Sequence, residues 1–192
     1  MKNNLVIKGI TTLLLALPFA VLAQSDKASV TATHSSNPRG PLVSQVREAT
    51  WIYRNVSNAE AAGYVPTACA SGPNGGAMGV HYVNPGLLFN ADGTPSGEFE
   101  IDTPEVLIYE PLPNGILRLV GVEYIVFADP WDAAHDDGAS PVANGQLFHF
   151  AGAPNRYRLP AFYELHVWAW KKNPNGTFAD WNPNVSCDYY GN

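Results

Sequence analysis

Along residues 42–56 apolar side chains recur at Leu42, Val43, Val46, Ala49, Ile52, Tyr53 and Val56, with Gln45, Arg47, Glu48 and Arg54 between them. That spacing follows the 3.6-residue period of a helix with one buried face, so an amphipathic helix is predicted here. Ser57 followed by Glu60 has the form of a capping box and Gly63 supplies a stop, which predicts a second, short helical turn. After Gly63 the pattern changes: short runs rich in Val, Ile, Tyr, Phe and Trp are punctuated by Gly and Pro, the texture of strands and turns. Strands are predicted over 77–83, 105–109, 116–127, 146–150 and 162–170. Pro113-Asn114-Gly115 separates the second from the third, and Asn-Gly provides the positive φ angles of a tight hairpin, so these two strands are expected to pair antiparallel. Residues 71–76, 84–103, 129–144 and 171–192 read as loops. The expected fold class is α+β: an N-terminal amphipathic helix packed on a mainly antiparallel curved β-sheet or small β-barrel.

The chain has 192 residues, and its first 23 have a different character from the rest. Lys2 and Lys8 precede an uncharged run that ends in Val21-Leu22-Ala23, the layout of a secretory signal with cleavage between Ala23 and Gln24. The run is too short for a comfortable membrane span, which needs about 20 apolar residues. Residues 24–41, rich in Ser, Thr, Ala and Asn, read as a flexible leader, and 42–192 as a single globular domain. Without Lys2 and Lys8 the mature chain carries 9 basic against 17 acidic side chains. So acidic a surface disfavours nucleic acid and an anionic membrane as partners. A secreted or periplasmic bacterial setting is expected, with no stable membrane anchor. In that setting Cys69 and Cys187, the only two cysteines, are expected to form a disulfide rather than a metal site or a reactive thiol.

Candidate chemistry begins with Glu123, because it lies inside the run Leu117 to Phe127, where apart from Arg118 both faces of a strand would otherwise be apolar. A buried carboxylate costs several kcal/mol unless it is paired, hydrogen-bonded or metal-bound. A structural explanation is an ion pair with Arg118, Arg156 or Arg158, or a hydrogen bond from a tyrosine. With period two, Glu164, His166, Trp168 and Trp170 share one strand face, a composition suited to lining a ligand cavity, while Leu165, Val167 and Ala169 share the other. His81 lies in a third apolar run. Should His81, Glu123 and His166 face one cavity with Glu110 or Glu164 beside them, the set suits Zn, Cu or Fe. No HxH or HExxH spacing marks such a site, and a solitary histidine in an apolar strand is more often a satisfied core residue. A metal-free variant of the same idea makes Glu123, beside either histidine, a general acid or base.

His149 is a further candidate on another strand. The run from Asp129 to Asp137 holds four Asp and His135 but lacks the glycine and glutamate of a calcium loop. Neither a Gly-x-Ser-x-Gly elbow nor a phosphate-binding loop occurs.

Several longer runs, among them Gly76-Ala77-Met78-Gly79-Val80-His81-Tyr82-Val83-Asn84-Pro85, Pro104-Glu105-Val106-Leu107-Ile108-Tyr109-Glu110-Pro111, Glu164-Leu165-His166-Val167-Trp168 and Asp180-Trp181-Asn182-Pro183, resemble a group of exported, uncharacterised bacterial proteins. The resemblance covers roughly residues 43–187. It implies a bacterial, exported setting and brings no reaction, cofactor or site residue with it. The functional expectation is therefore a secreted domain that binds a small ligand or metal ion in a cavity lined by His81, Glu110, Glu123, Glu164, His166, Trp168 and Trp170, with catalysis there left open. The alternative is a structural or protein-interaction domain whose buried His and Glu residues form a closed hydrogen-bond network.

Overall fold

The structure is a computed structural model that describes residues 40–72, 75–135 and 138–191. The expected signal sequence and nearly all of the expected leader lie outside the described residues; Gly40 and Pro41, the end of that leader, already belong to a helix. Helix α1, Gly40–Thr50, buries Leu42, Val43, Val46 and Thr50. The helical pattern read as continuous to Val56 breaks after Thr50, whose hydroxyl bonds back to the Val46 carbonyl at 2.6 Å. A 3-10 turn, Trp51–Arg54, follows and leaves Trp51 and Ile52 exposed. Helix α2, Val56–Ala61, is capped by Asn55, whose side chain accepts from the Ser57 amide, so the cap is Asn55 and not Ser57. Either side chain can cap, but Asn55 is the residue that keeps extended backbone angles.

Six strands make one curled antiparallel sheet in the order β1-β2-β3-β4-β8-β7. They are β1 (Val65–Gly72), β2 (Gly76–Val83), β3 (Val106–Pro111), β4 (Leu117–Phe127), β7 (His149–Ala151) and β8 (Phe162–Val167). Strands β5 (Val142–Ala143) and β6 (Gln146–Leu147) form a separate pair, so the run expected as one strand over 146–150 is divided between two sheets. The sequence reading missed β1 because it lies at the sheet edge, mostly exposed and without apolar alternation. Two short helices, α3 (Pro85–Leu88) and α4 (Ala128–Ala134), interrupt stretches expected to be loops. The β3–β4 hairpin turns at Asn114 and Gly115, with φ of 67° and 73°, the conformation Asn-Gly was expected to supply.

Strand alternation gives the sheet two unlike faces. One carries Tyr82, Leu107, Tyr109, Val122, Tyr124, Leu165 and Val167, packed with Leu42, Val43 and Val46 of α1 into the main core. The register places His81 opposite Ile108, Val106 opposite Glu123, Glu123 opposite His166 and Glu164 opposite His149. These residues therefore share the second face.

Strand β8 ends at Val167, three residues short of expectation. Beyond it the Trp170 and Lys171 amides both donate to the Val120 carbonyl, which carries Trp170 out of the strand's alternation. The tail then returns to the sheet: Ala77 and Asn182 exchange backbone hydrogen bonds, and Cys69 is bonded to Cys187. Among the described residues no helix is long and apolar enough to cross a membrane.

Candidate metal centre

Glu123 is central to the site. Its Oε2 lies 3.4 Å from His81 Nε2 and 3.9 Å from His166 Nε2. One donor atom from each of these three residues falls within 4.8 Å of the others. Strand pairing aligns two of them: β4 and β8 pair with Glu123 directly opposite His166. His81 reaches the same point from β2, across the intervening β3. On the same strand the β1–β2 pairing is irregular at Gly79, a bulge where φ is +100°. A Cβ at Gly79 would sit 2.6 Å from the Tyr109 carbonyl oxygen, so only glycine fits without backbone movement.

Burial governs the electrostatics. The His166 side chain is fully buried and those of His81 and Glu123 are 8% and 4% exposed. Desolvation holds His81 down to about 4, aided by the positive charge of Arg156 and opposed by a hydrogen bond with the Gly79 backbone. His166 is pushed well below the usual imidazole range, again by desolvation and then by His81, His149 and Arg156. Both rings are thus neutral at physiological pH, the state in which imidazole ligates metals. Glu123 is raised well above the carboxylate range by burial and by the adjacent Glu164 carboxyl. Glu164 is itself raised, chiefly by burial.

The polar atoms of this region are poorly satisfied. His81 Nε2, both ring nitrogens of His166, Glu164 Oε2 and Asp180 Oδ1 are buried without a hydrogen-bond partner. Buried polar atoms in native proteins are nearly always paired, and five orphans in one cluster indicate a group that binds there. Asp180 Oδ1 stands 3.6 Å from His166 Nδ1 and 3.7 Å from His149 Nδ1. A carboxylate behind the second nitrogen of a metal-binding imidazole is the usual arrangement for orienting such a ligand. Sequence reasoning missed Asp180 because it lies in the turn-rich tail, which folds back onto β2 through Asn182.

The other expected site residues divide. Glu164 sits beside Glu123, and Trp168 stacks on His166 with ring centroids 6.4 Å apart, its indole N–H donating to the Ala179 carbonyl. Glu110 lies elsewhere, bonded to Arg118 at 2.5 Å and Lys171 at 2.7 Å. Its position on β3 is opposite Arg118, well along the strand from the Val106–Glu123 pair, so it takes no part in the cluster. Trp170 also lies elsewhere: its N–H donates to the Thr50 hydroxyl and its ring meets Trp51 and Arg54 in the 3-10 turn that follows α1. The cause is the early end of β8. In the Asp-rich run, Asp132 accepts from the Tyr163 hydroxyl and His135 stacks on Trp131, so these groups are engaged away from the cluster.

Beside the cluster, between β1, β2, α3 and the segment leading into β8, lies a cavity of about 520 Å³. His81 and Glu123 line it, and His166 does not. Compared with known proteins, the chain matches no family model, no curated protein and no solved structure. The chemistry of the site therefore rests on its geometry.

Proposed function

We propose that this domain binds a divalent transition metal through His81, Glu123 and His166, at the inner end of an apolar cavity. The observation that supports this most is the convergence of three buried donor atoms within 4.8 Å, two of them imidazole nitrogens with no hydrogen-bond partner. Two imidazoles and a carboxylate suit Zn, Cu or Fe, and three protein ligands leave a position open for water or a bound molecule. Asp180 behind His166 adds the outer support such ligands require. A closed polar network has one observation on its side, the side-chain hydrogen bond between Glu123 and Glu164. It leaves the two histidines unsatisfied, which is the reason we prefer the metal.

The test is metal content by mass spectrometry on protein exported to an oxidising compartment, beside a His81→Ala/His166→Ala double variant whose fold is checked by circular dichroism. Near-stoichiometric metal in the parent and its loss in the folded variant is the expected result. Absence of metal after reconstitution with Zn, Cu and Fe would overturn the proposal and favour the polar network.

We further propose an exported bacterial setting. The Cys69–Cys187 disulfide supports it, since such bonds persist in oxidising compartments. Fractionation of the producing cell and N-terminal sequencing test it: a periplasmic or secreted chain beginning at Gln24 is expected, and a reduced cytoplasmic chain retaining Met1 refutes it.

A further inference from the structure

The cavity has walls unlike its inner end. Val83, Leu88, Phe89, Val106, Ile125 and Phe162 form its walls, whereas His81 and Glu123 supply polar atoms at one end. Its volume of about 520 Å³ falls within the roughly 300 to 1,000 Å³ of small-molecule sites. An apolar concavity of this size is costly to leave facing water and offers little to a polar guest. Thr67, Ala68 and Tyr157 also line it and are exposed, which marks the mouth.

Against the lining residue Tyr157 stands Arg156. Its guanidinium is 4.8 Å from the Tyr157 ring and 4.8 Å from the Trp181 ring, so two aromatic faces hold it in place. It donates to the Tyr157 hydroxyl at 2.6 Å and to the Met78 sulfur at 2.9 Å, and among the described residues it makes no ion pair. Its charge nevertheless acts on His81, Glu123 and Glu164. In an acidic chain of net charge −6, a positioned arginine whose partners are a phenol and a thioether is suited to an incoming anion.

We propose that the cavity receives an amphipathic monoanion, an aliphatic or aromatic body carrying one carboxylate-type head, with the head on the cavity side of the metal held by His81, Glu123 and His166. The proposal rests on the metal reading for the place of the head group. It follows from the sidedness of the cluster: His81 and Glu123 face the cavity while His166 is sealed behind them, so the open coordination position is on the cavity side. The walls select the body, and the metal with Arg156 selects the negative head.

The experiment is calorimetric titration of the metal-loaded, disulfide-bonded protein with decanoate, decanol and acetate, with metal content read on the same samples. Saturable one-to-one binding of decanoate, at least tenfold tighter than decanol and than acetate, is expected. Ala68→Trp places bulk at the exposed mouth without disturbing the core and is expected to weaken decanoate at least tenfold with metal content unchanged. Arg156→Gln is expected to reduce the preference for decanoate over decanol while leaving decanol binding as it was. Metal-loaded protein that binds decanoate no better than acetate, or an Ala68→Trp variant that binds it as the parent does, overturns the cavity proposal and leaves the metal reading standing. Protein that holds no metal overturns the metal reading, and the head-group placement with it.

Discussion

Replacing Glu105 by glutamine isolates the cost of a buried carboxyl that the proposed site does not use. Glu105 is 2% exposed, just before β3, and its Oε2 accepts from the Ile125 amide at 3.1 Å. Burial raises it from 4.5 to about 8, against the opposing effect of its backbone hydrogen bonds. The folded state therefore keeps a proton that the unfolded chain releases above pH 4.5. The stability associated with that proton is fully present below pH 4.5 and is lost as pH rises to about 8. At about 1.4 kcal/mol per pH unit, the loss across this window reaches roughly 5 kcal/mol, a large share of the roughly 5 to 15 kcal/mol that stabilises a domain. Glutamine keeps an oxygen to accept from Ile125 but cannot ionise. Its extra N–H groups add a penalty that does not depend on pH. Glu123 and Glu164 titrate in the same direction in both proteins, so their contributions cancel in the difference. Urea unfolding of parent and Glu105→Gln at pH 5, 6, 7 and 8, with equal m-values, measures it. The variant is expected to gain on the parent by up to about 1.4 kcal/mol for each pH unit. Parallel stability curves across that range would refute the reasoning, because Glu105 would then titrate alike in both states.

Four further outcomes are expected. Asp180→Asn lowers metal affinity roughly 10- to 100-fold in a chelator competition, because the support behind His166 Nδ1 weakens; unchanged affinity removes Asp180 from the site. Trp170→Ala costs about 3 kcal/mol in urea unfolding, since the ring packs against the helical face, yet leaves metal content as in the parent. Gly79→Ala destabilises by more than about 2 kcal/mol, because alanine meets both the positive φ and the Tyr109 carbonyl; a neutral effect by the same assay contradicts the bulge argument. A Cys69→Ser/Cys187→Ser variant loses up to roughly 4 to 5 kcal/mol, the chain-entropy value for a loop of this length, as read from urea midpoints against the oxidised parent.

Period-two alternation alone put Glu164 and His166 on one strand face, and the same parity holds in β8. Counting cysteines in a chain read as exported identified the disulfide, and Asn114-Gly115 identified the hairpin. Glu123 was conspicuous because a charged side chain in an apolar strand needs a partner wherever the strand ends up. These are local properties: side-chain parity, turn chemistry and desolvation depend on a few neighbouring residues. Which residue meets Glu123 is not local. His81 arrives through strand order, and Asp180 through a tail that crosses back to Ala77. Trp170 and Glu110, of suitable chemistry, are carried away by the end of β8 at Val167 and by position along β3. The sequence therefore determined the faces and the residue types, and only the tertiary structure decided which of them converge, because convergence depends on inter-strand register and chain path between residues far apart in sequence.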